Sequence, residues 1–482
     1  MKKRKTTTHP IPDHERVALR DKLILGGAGL NSFIVNNLFT GVLWMPVFNI
    51  GFGVNAALLG VVAMIFKAWD AFLNPFVGNW SDNARTRWGR RRPFIVVGAF
   101  ATALLLPIVW WIPRDLSQPW VVGLLIVFGL LLYTAYTVWI IPYEALTMEM
   151  TPNYDERTNI IAYIAFFGDI IALLGGWTLA FVTSGLFADA NGEPDIIAGA
   201  RVAGIGFALL FLIAGALPGL FIKEKAYDAQ AKTQQTEPFL KSLKDTARVK
   251  PLWWLIGMIF LNLIGIVSIS GLGYYINIYF VNAGDIVGAS WIEGWRNTAM
   301  FAAGILSIPL WRWVSNRWDK KVAMYVILCL TIVGHLLNYW CLNPDLPYLQ
   351  IIPSLMYAGV GSAIWMIAPS MKMDVADYDE LQTSRRREGS INAVFSFILT
   401  LAVTLSTGLG GLVLELTGFD PAFKEQPQEV LDRMFGTYLL LPICFWVVSI
   451  LCLRFYKLDR KAVRDVRDRL EARRGDLCEA EP

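Results

Sequence analysis

Charge is what this 482-residue chain has least of: Asp, Glu, Lys and Arg make up 17% of it, against about a quarter in soluble proteins. Histidine is scarcer still, with three residues, and of these His335 alone falls in an apolar stretch, beside Asn338, where it reads as a packed polar group. Five cysteines stand at Cys329, Cys341, Cys444, Cys452 and Cys478, without metal-ligand spacing or a disulfide framework. No nucleophile–base pair, metal-ligand cluster or phosphate-cradling loop is found, which argues against a membrane-embedded enzyme. The net charge of +4 is no sign of nucleic-acid binding, because the Lys and Arg residues gather in turns between apolar blocks.

What is abundant is oil. Hydrophobic residues make up 55% of the chain, arranged in repeated blocks long enough to cross a hydrocarbon layer about 30 Å thick. Twelve spans are expected, near 23–49, 54–80, 94–112, 119–144, 158–185, 199–222, 252–281, 290–314, 322–342, 347–370, 389–415 and 435–457. The fold class is an all-α membrane protein. The basic N-terminal stretch is followed by an apolar block too long for a signal-peptide core, so it is expected to be a retained first span.

Basic residues mark alternate connections: Arg85, Arg87, Arg90, Arg91 and Arg92 after the second span, Arg317, Lys320 and Lys321 after the eighth, Arg385–Arg387 after the tenth. The intervening connections carry acids such as Asp189, Glu193 and Asp285. By the positive-inside rule both termini face the cytoplasm, and a cell (inner) membrane is the expected location. The longest polar interruption separates two halves. The expected organisation is a cytoplasmic segment 1–22, a six-helix bundle 23–222, a linker 223–251, a second bundle 252–457 and a tail 458–482.

An internal repeat supports the division. Arg87-Trp88-Gly89-Arg90-Arg91 is echoed 230 residues on by Arg317-Trp318-Asp319-Lys320-Lys321, and Tyr154-Asp155-Glu156 is echoed 224 residues on by Tyr378-Asp379-Glu380. Two pseudo-symmetric halves are what a rocking transporter needs and a simple channel or receptor does not.

Within the spans, charge is costly and marks function by default. Asp70 and Asp169 are the acids deepest in apolar sequence, and a carboxylate held in oil suits either proton carriage or Na⁺ ligation. Asn36 and Asn37 suit either helix–helix adhesion or ligand binding. Glu293 and Arg296, near the start of the eighth span, read as rim charges. At the cytoplasmic ends, Glu149, Asp155, Glu156 and Arg157 in one half and Asp374, Asp377, Asp379 and Arg385–Arg387 in the other are expected to form pairs that bias a gate.

Gly78, Asp82, Gly89, Arg90, Arg91 and Arg92 form a turn that resembles the signature of the major facilitator superfamily. Further matches resemble its glycoside–pentoside–hexuronide:cation symporters: Trp69-Asp70 followed by Asn74-Pro75, Ile141–Leu146, Tyr154–Arg157, Asp374–Glu380 and Arg385–Gly389. The resemblance implies two six-helix bundles, gating by Gly78, Asp82, Arg90, Arg91, Arg92, Asp155, Arg157, Asp374 and Asp377, and a cation site at Asp70. The family's second cation carboxylate falls on Asn74, an amide that can ligate Na⁺ but cannot carry a proton; Asp169 is a candidate for the missing charge. Trp365 coincides with a tryptophan that packs against sugar in a melibiose-transporting member. Asn31, Glu144 and Thr400 fall where that member has sugar-site residues of other chemistry, so the identity of the sugar does not transfer.

The expectation is therefore a monomeric secondary transporter with no cofactor. It carries a glycoside or oligosaccharide with Na⁺ or H⁺ by alternating access. A proton-driven exporter or an uncoupled uniporter of another small organic solute is the alternative.

Overall fold

The computed structural model describes residues 16–151, 154–190, 192–224, 248–317, 319–383, 388–421, 423 and 425–479. The sequence expectations for the N-terminal segment before residue 16, the linker interior and Arg385–Arg387 lie outside these. Among the described residues there are thirteen helices of 15 residues or more and no strand. They are α1 Leu19–Phe33, α2 Ala56–Asn83, α3 Arg92–Trp110, α4 Gln118–Glu149, α5 Tyr154–Val182, α6 Ile196–Phe221, α7 Lys250–Tyr275, α8 Ile286–Arg317, α9 Lys320–Leu336, α10 Ile351–Thr383, α11 Glu388–Leu416, α12 Gln428–Phe455 and α13 Arg460–Glu479. Ten apolar stretches are long enough to cross a membrane. Of the three long helices outside that set, α8 and α10 are 32 and 33 residues long and carry several charges each, and α13 has 20 residues.

Local chemistry explains the helix ends. Asp195 and Asp319 cap α6 and α9, accepting from the N–H groups of Ala198 at 3.0 Å and Lys321 at 2.9 Å. Proline opens α3, α4 and α7 within the first turn, where its missing N–H costs nothing. Prolines also lie inside helices at Pro75, Pro107, Pro142, Pro218, Pro309, Pro369 and Pro442, as membrane helices tolerate. Both α1 and α7 run on into wider π-helical turns, at Ile34–Leu43 and Ile276–Val281, an opening found mostly at functional positions.

The chain divides into two compact units, Met1–Phe52 with Ile65–Gln234 and Gly53–Met64 with Gln235–Pro482. In the first, α1 packs on α5 and α6, and α3 on α4 and α6. In the second, α7 packs on α11 and α12, and α9 on α10 and α12. Each pairing recurs with six added to both helix numbers, the signature of a duplicated bundle. Interior prolines repeat too, Pro75 with Pro309, Pro142 with Pro369 and Pro218 with Pro442.

Glycines set the closest approaches. A Cβ on Gly98 would lie 2.6 Å from the Trp139 nitrogen, and one on Gly199 would lie 2.2 Å from the Val182 oxygen. Gly78, part of the turn signature in the sequence, has room to spare: its Cβ would sit 3.7 Å from Ile141 Cγ2, an ordinary contact. The tail after the last span forms α13, whose buried Val466 and Leu470 give it an apolar face against α10.

Candidate functional site

The first unit gathers its polar side chains on α1, α2 and α4. Asp70 lies mid-way along α2, half-buried, with Thr137 of α4 facing it. The Thr137 hydroxyl is 2.7 Å from Asp70 Oδ1 and 2.7 Å from the Tyr133 carbonyl oxygen, so one proton serves two acceptors. Asn74 follows Asp70 by one helical turn, and its Oδ1 is buried with no hydrogen-bond partner among the described residues. A buried amide oxygen without a donor costs free energy. Asp70, Thr137 and Asn74 thus offer oxygens with acceptor capacity to spare, the donor set that an alkali cation takes.

Lys67 precedes Asp70 by one turn. Its ammonium donates to Asn36 Oδ1, lies 5.6 Å from the centroid of the Tyr133 ring and acts electrostatically on Asp70. Asn36 Nδ2 in turn donates to the Tyr136 hydroxyl at 3.1 Å. Thr137 does not stand out in the sequence, where a threonine in a helix reads as a back-bonded filler; Lys67, a charge mid-way along a span, is as costly in oil as Asp70. The available signal is spacing: Lys67, Asp70 and Asn74 share one face of α2.

The other residues singled out from sequence fall in several places. Glu144 lies two turns beyond Thr137 on α4, exposed, with no hydrogen bond among the described residues, and feels the Asp70 charge. Asn31 is 0% exposed and turned toward α6, its Nδ2 donating to the Phe211 carbonyl at 3.0 Å, which makes it a helix–helix contact here. Asp169 is exposed mid-way along α5 and makes no hydrogen bond or ion pair with Asp70 or Asn74. The Thr400 hydroxyl, on an exposed part of α11, bonds back to the Ser396 carbonyl at 3.0 Å. The side chains of Asn37, Asp155, Arg157 and Trp365 lie outside the described residues.

Charges at the helix ends pair inside each unit. Arg90 Nη2 lies 2.8 Å from Glu149 Oε1, and Arg91 contacts both Glu149 at 2.6 Å and Asp82 at 2.8 Å. Arg92 donates to the Gly219 and Leu220 carbonyls at 2.7 Å each, capping α6. The Glu224 carboxylate accepts from the N–H groups of Arg90, Arg91 and Arg92, at 2.9, 2.7 and 3.2 Å; it sits at the N-terminus of α3, where an anion is favoured. Gly89, at φ +114°, makes room for that carboxylate, since a Cβ there would fall 2.7 Å from it. In the second unit Lys320 pairs with Asp374 at 2.5 Å, Lys321 donates to the Arg454 and Tyr456 carbonyls, and Asp319 accepts from the Arg460 N–H at 2.7 Å. Asp377 is half-buried on α10.

A model of the MFS/sugar transport protein family matches residues 30–460. The chain belongs to this family. Among its relatives is the isoprimeverose transporter of Lactiplantibacillus pentosus, 27% identical over 85% of this chain and 82% of the relative. Another is the sodium-dependent lysophosphatidylcholine symporter 1 of Gallus gallus, 24% identical over 85% of this chain and 82% of the relative. The crystal structure of a D-xylose–proton symporter shares the fold, with a TM-score of 0.62 at 14% identity over 90% of this chain and 96% of that one. The major facilitator architecture expected from the motifs is thus the one found.

Proposed function

We propose that this chain is a multi-pass secondary transporter that carries a sugar together with a monovalent cation. Its twelve spans comprise the ten apolar stretches and the charge-bearing α8 and α10, in two homologous halves that work by alternating access. The observation that carries the cation half of this proposal is the oxygen cluster of Asp70, Thr137 and Asn74, in which Asp70 receives only a shared proton and Asn74 Oδ1 has no donor among the described residues.

A cation entering there neutralises Asp70 and fills the vacant acceptor positions. The ammonium of Lys67 lies close enough to compete with it electrostatically, which favours release once the cation reaches the low-concentration side. Sugar as the solute follows from family membership and from the isoprimeverose transporter among the relatives. Amides, carboxylates and aromatic faces in a membrane interior suit a polyhydroxylated ligand. Glu144, Thr400 and Trp365 remain the proposed sugar-site positions, whereas Asn31, buried against the Phe211 carbonyl, serves helix packing; Asp169 is an accessory to the cation site, and the expected gating residues act through their ion pairs. Each ligand raises the affinity of the other by the same factor. Location in a cell (inner) membrane with both termini cytoplasmic is part of the same proposal.

The test is uptake by proteoliposomes of labelled isoprimeverose, methyl glucoside and methyl glucuronide under imposed Na⁺ or H⁺ gradients. Concentration of a sugar by one gradient, lost in Asp70→Asn with exchange retained, is the expected result. Uptake of every solute only to equilibrium, with or without a gradient, would establish a uniporter instead.

A further inference from the structure

We propose that the second unit holds a ligand subsite for a neutral polyhydroxylated solute, built on the Glu293–Arg296 pair; the inference rests on the sugar–cation symport proposed above. The two residues, expected from sequence to be rim charges, lie well inside their helix. α8 begins at Ile286, so Arg296 stands ten residues in, roughly 15 Å along the axis at 1.5 Å per residue. The side chains of Arg296 and Glu293 are 21% and 14% exposed. Two charges this far along a helix proposed above to span the membrane mark a candidate functional site by default.

Their surroundings form a built site. Glu293 Oε1 accepts from Arg296 Nη2 at 2.6 Å and Asn297 Nδ2 at 2.9 Å. Its other oxygen, Oε2, is buried and has no partner among the described residues. The Arg296 charge reaches the phenols of Tyr357 on α10 and Tyr438 on α12, and the Glu293 charge reaches Tyr274 on α7. Four helices of one unit therefore converge.

One phenol is held in place. His335 Nε2 lies 2.9 Å from the Tyr438 carbonyl oxygen, which can only accept, so Nε2 carries the proton. Nδ1 then accepts from the Tyr357 hydroxyl, and Asn338 Nδ2 donates to the same hydroxyl at 3.4 Å. The Tyr357 oxygen, within reach of the Arg296 charge, is thereby held in one position with acceptor capacity to spare.

The chemistry selects the ligand. A guanidinium donates and a carboxylate accepts, so the pair meets the two roles of neighbouring sugar hydroxyls, with charge-assisted bonds to each. Glu293 Oε2 lacks a donor, which a ligand O–H supplies. The pair is neutral in sum: an anionic solute meets the Glu293 carboxylate and a cationic one meets Arg296. A neutral polyol meets neither penalty, and tyrosine rings offer its C–H faces a wall.

The experiment uses the full-length protein in proteoliposomes with the same sugar panel, comparing wild type, Glu293→Gln and Tyr357→Phe. Wild type should prefer methyl glucoside or isoprimeverose to methyl glucuronide. Glu293→Gln should raise the half-saturating concentration of the neutral glycosides about tenfold, the size of one charge-assisted bond, and improve competition by methyl glucuronide. A merely structural role would not produce that gain. Tyr357→Phe, which keeps the ring, should weaken neutral sugars in the same direction, and the cation concentration for half-activation should stay within about twofold in both. If wild type concentrates neutral sugars and both variants bind them as wild type does, the subsite is wrong and the symport proposal stands. If wild type takes methyl glucuronide in preference, the assignment of a neutral ligand is overturned. If no sugar in the panel is bound or moved, both fall together.

Discussion

Arg90 holds Glu149 at 2.8 Å in the first unit, and Lys320 holds Asp374 at 2.5 Å at the equivalent place in the second. In each case a base at the start of the third or ninth helix meets an acid near the C-terminal end of the fourth or tenth. Residue types changed between the copies while sign and position did not. The Asp374 carboxylate is 2% exposed and Arg91, beside Arg90, is 7% exposed, so removing one partner takes a charge-assisted contact from a buried charge that keeps its other partners. Lys320→Ala and Glu149→Ala are each expected to destabilise their unit by about 1.5 kcal/mol, the size of one hydrogen bond to a charged group, read as a lowered midpoint of thermal unfolding in detergent. Unchanged midpoints would mean that solvent already shields these pairs.

Glu156 provides a pH test. Its carboxylate is buried, which by itself favours the neutral form, but the Lys22 ammonium, the Asn159 amide and the Val17 N–H together outweigh burial and hold it at about 2, below the ordinary 4.5. A depressed folded-state value stabilises the fold above the unfolded one and is lost on acidification. Wild type should therefore exceed Glu156→Gln by about 3 kcal/mol above pH 5. The difference should shrink as pH falls from about 4.5 to about 2. A gap independent of pH would refute the assignment.

Lys67 yields a prediction of opposite sign to ordinary loss of function. Lys67→Met removes a positive charge beside Asp70, so the cation should bind about tenfold more tightly and leave more slowly. Transport should then saturate at lower cation concentration with a reduced maximal rate. Weaker cation binding in this variant would show that Lys67 supports the site instead of competing for it.

Packing separates two kinds of glycine. Gly199→Ala and Gly98→Ala would press a methyl group into backbone atoms at 2.2 and 2.6 Å, and neither backbone can retreat without parting two helices. Both variants should give little monodisperse protein on size-exclusion chromatography. Gly78→Ala, with 3.7 Å to its nearest neighbour, should purify like wild type. Equal yields for all three would mean that the close approaches relax easily.

The bundle was legible in the sequence because hydrocarbon imposes one requirement on every span, a long apolar block, and because the duplication left the Arg87 and Tyr154 motifs at matching offsets. Depth was harder to read. α8 starts at Ile286 rather than 290, and that one-turn shift places Glu293 and Arg296 well inside the helix instead of at its edge. The cation cluster was half visible: Asp70 is costly in oil and therefore conspicuous, whereas Thr137 becomes significant only when α4 turns it toward α2. Asn31, polar and in a span, reads equally well as ligand or glue, and only the Phe211 carbonyl beside it shows the second. Glu224 gave no signal, since a lone acid after a span says nothing about which helix N-terminus it will reach.

The two ends of the duplication differ in stiffness. Arg91 is a planar fork that grips acids on both α2 and α4 while its own backbone is clasped by Glu224, so three helices are knotted through one guanidinium. Lys320, a point charge on a pliant stem, joins α9 to α10 through Asp374. Whatever flexing the transport cycle demands of these helix ends will come at lower cost in the lysine-bearing half, where a pliant stem can follow its acid as the helices shift.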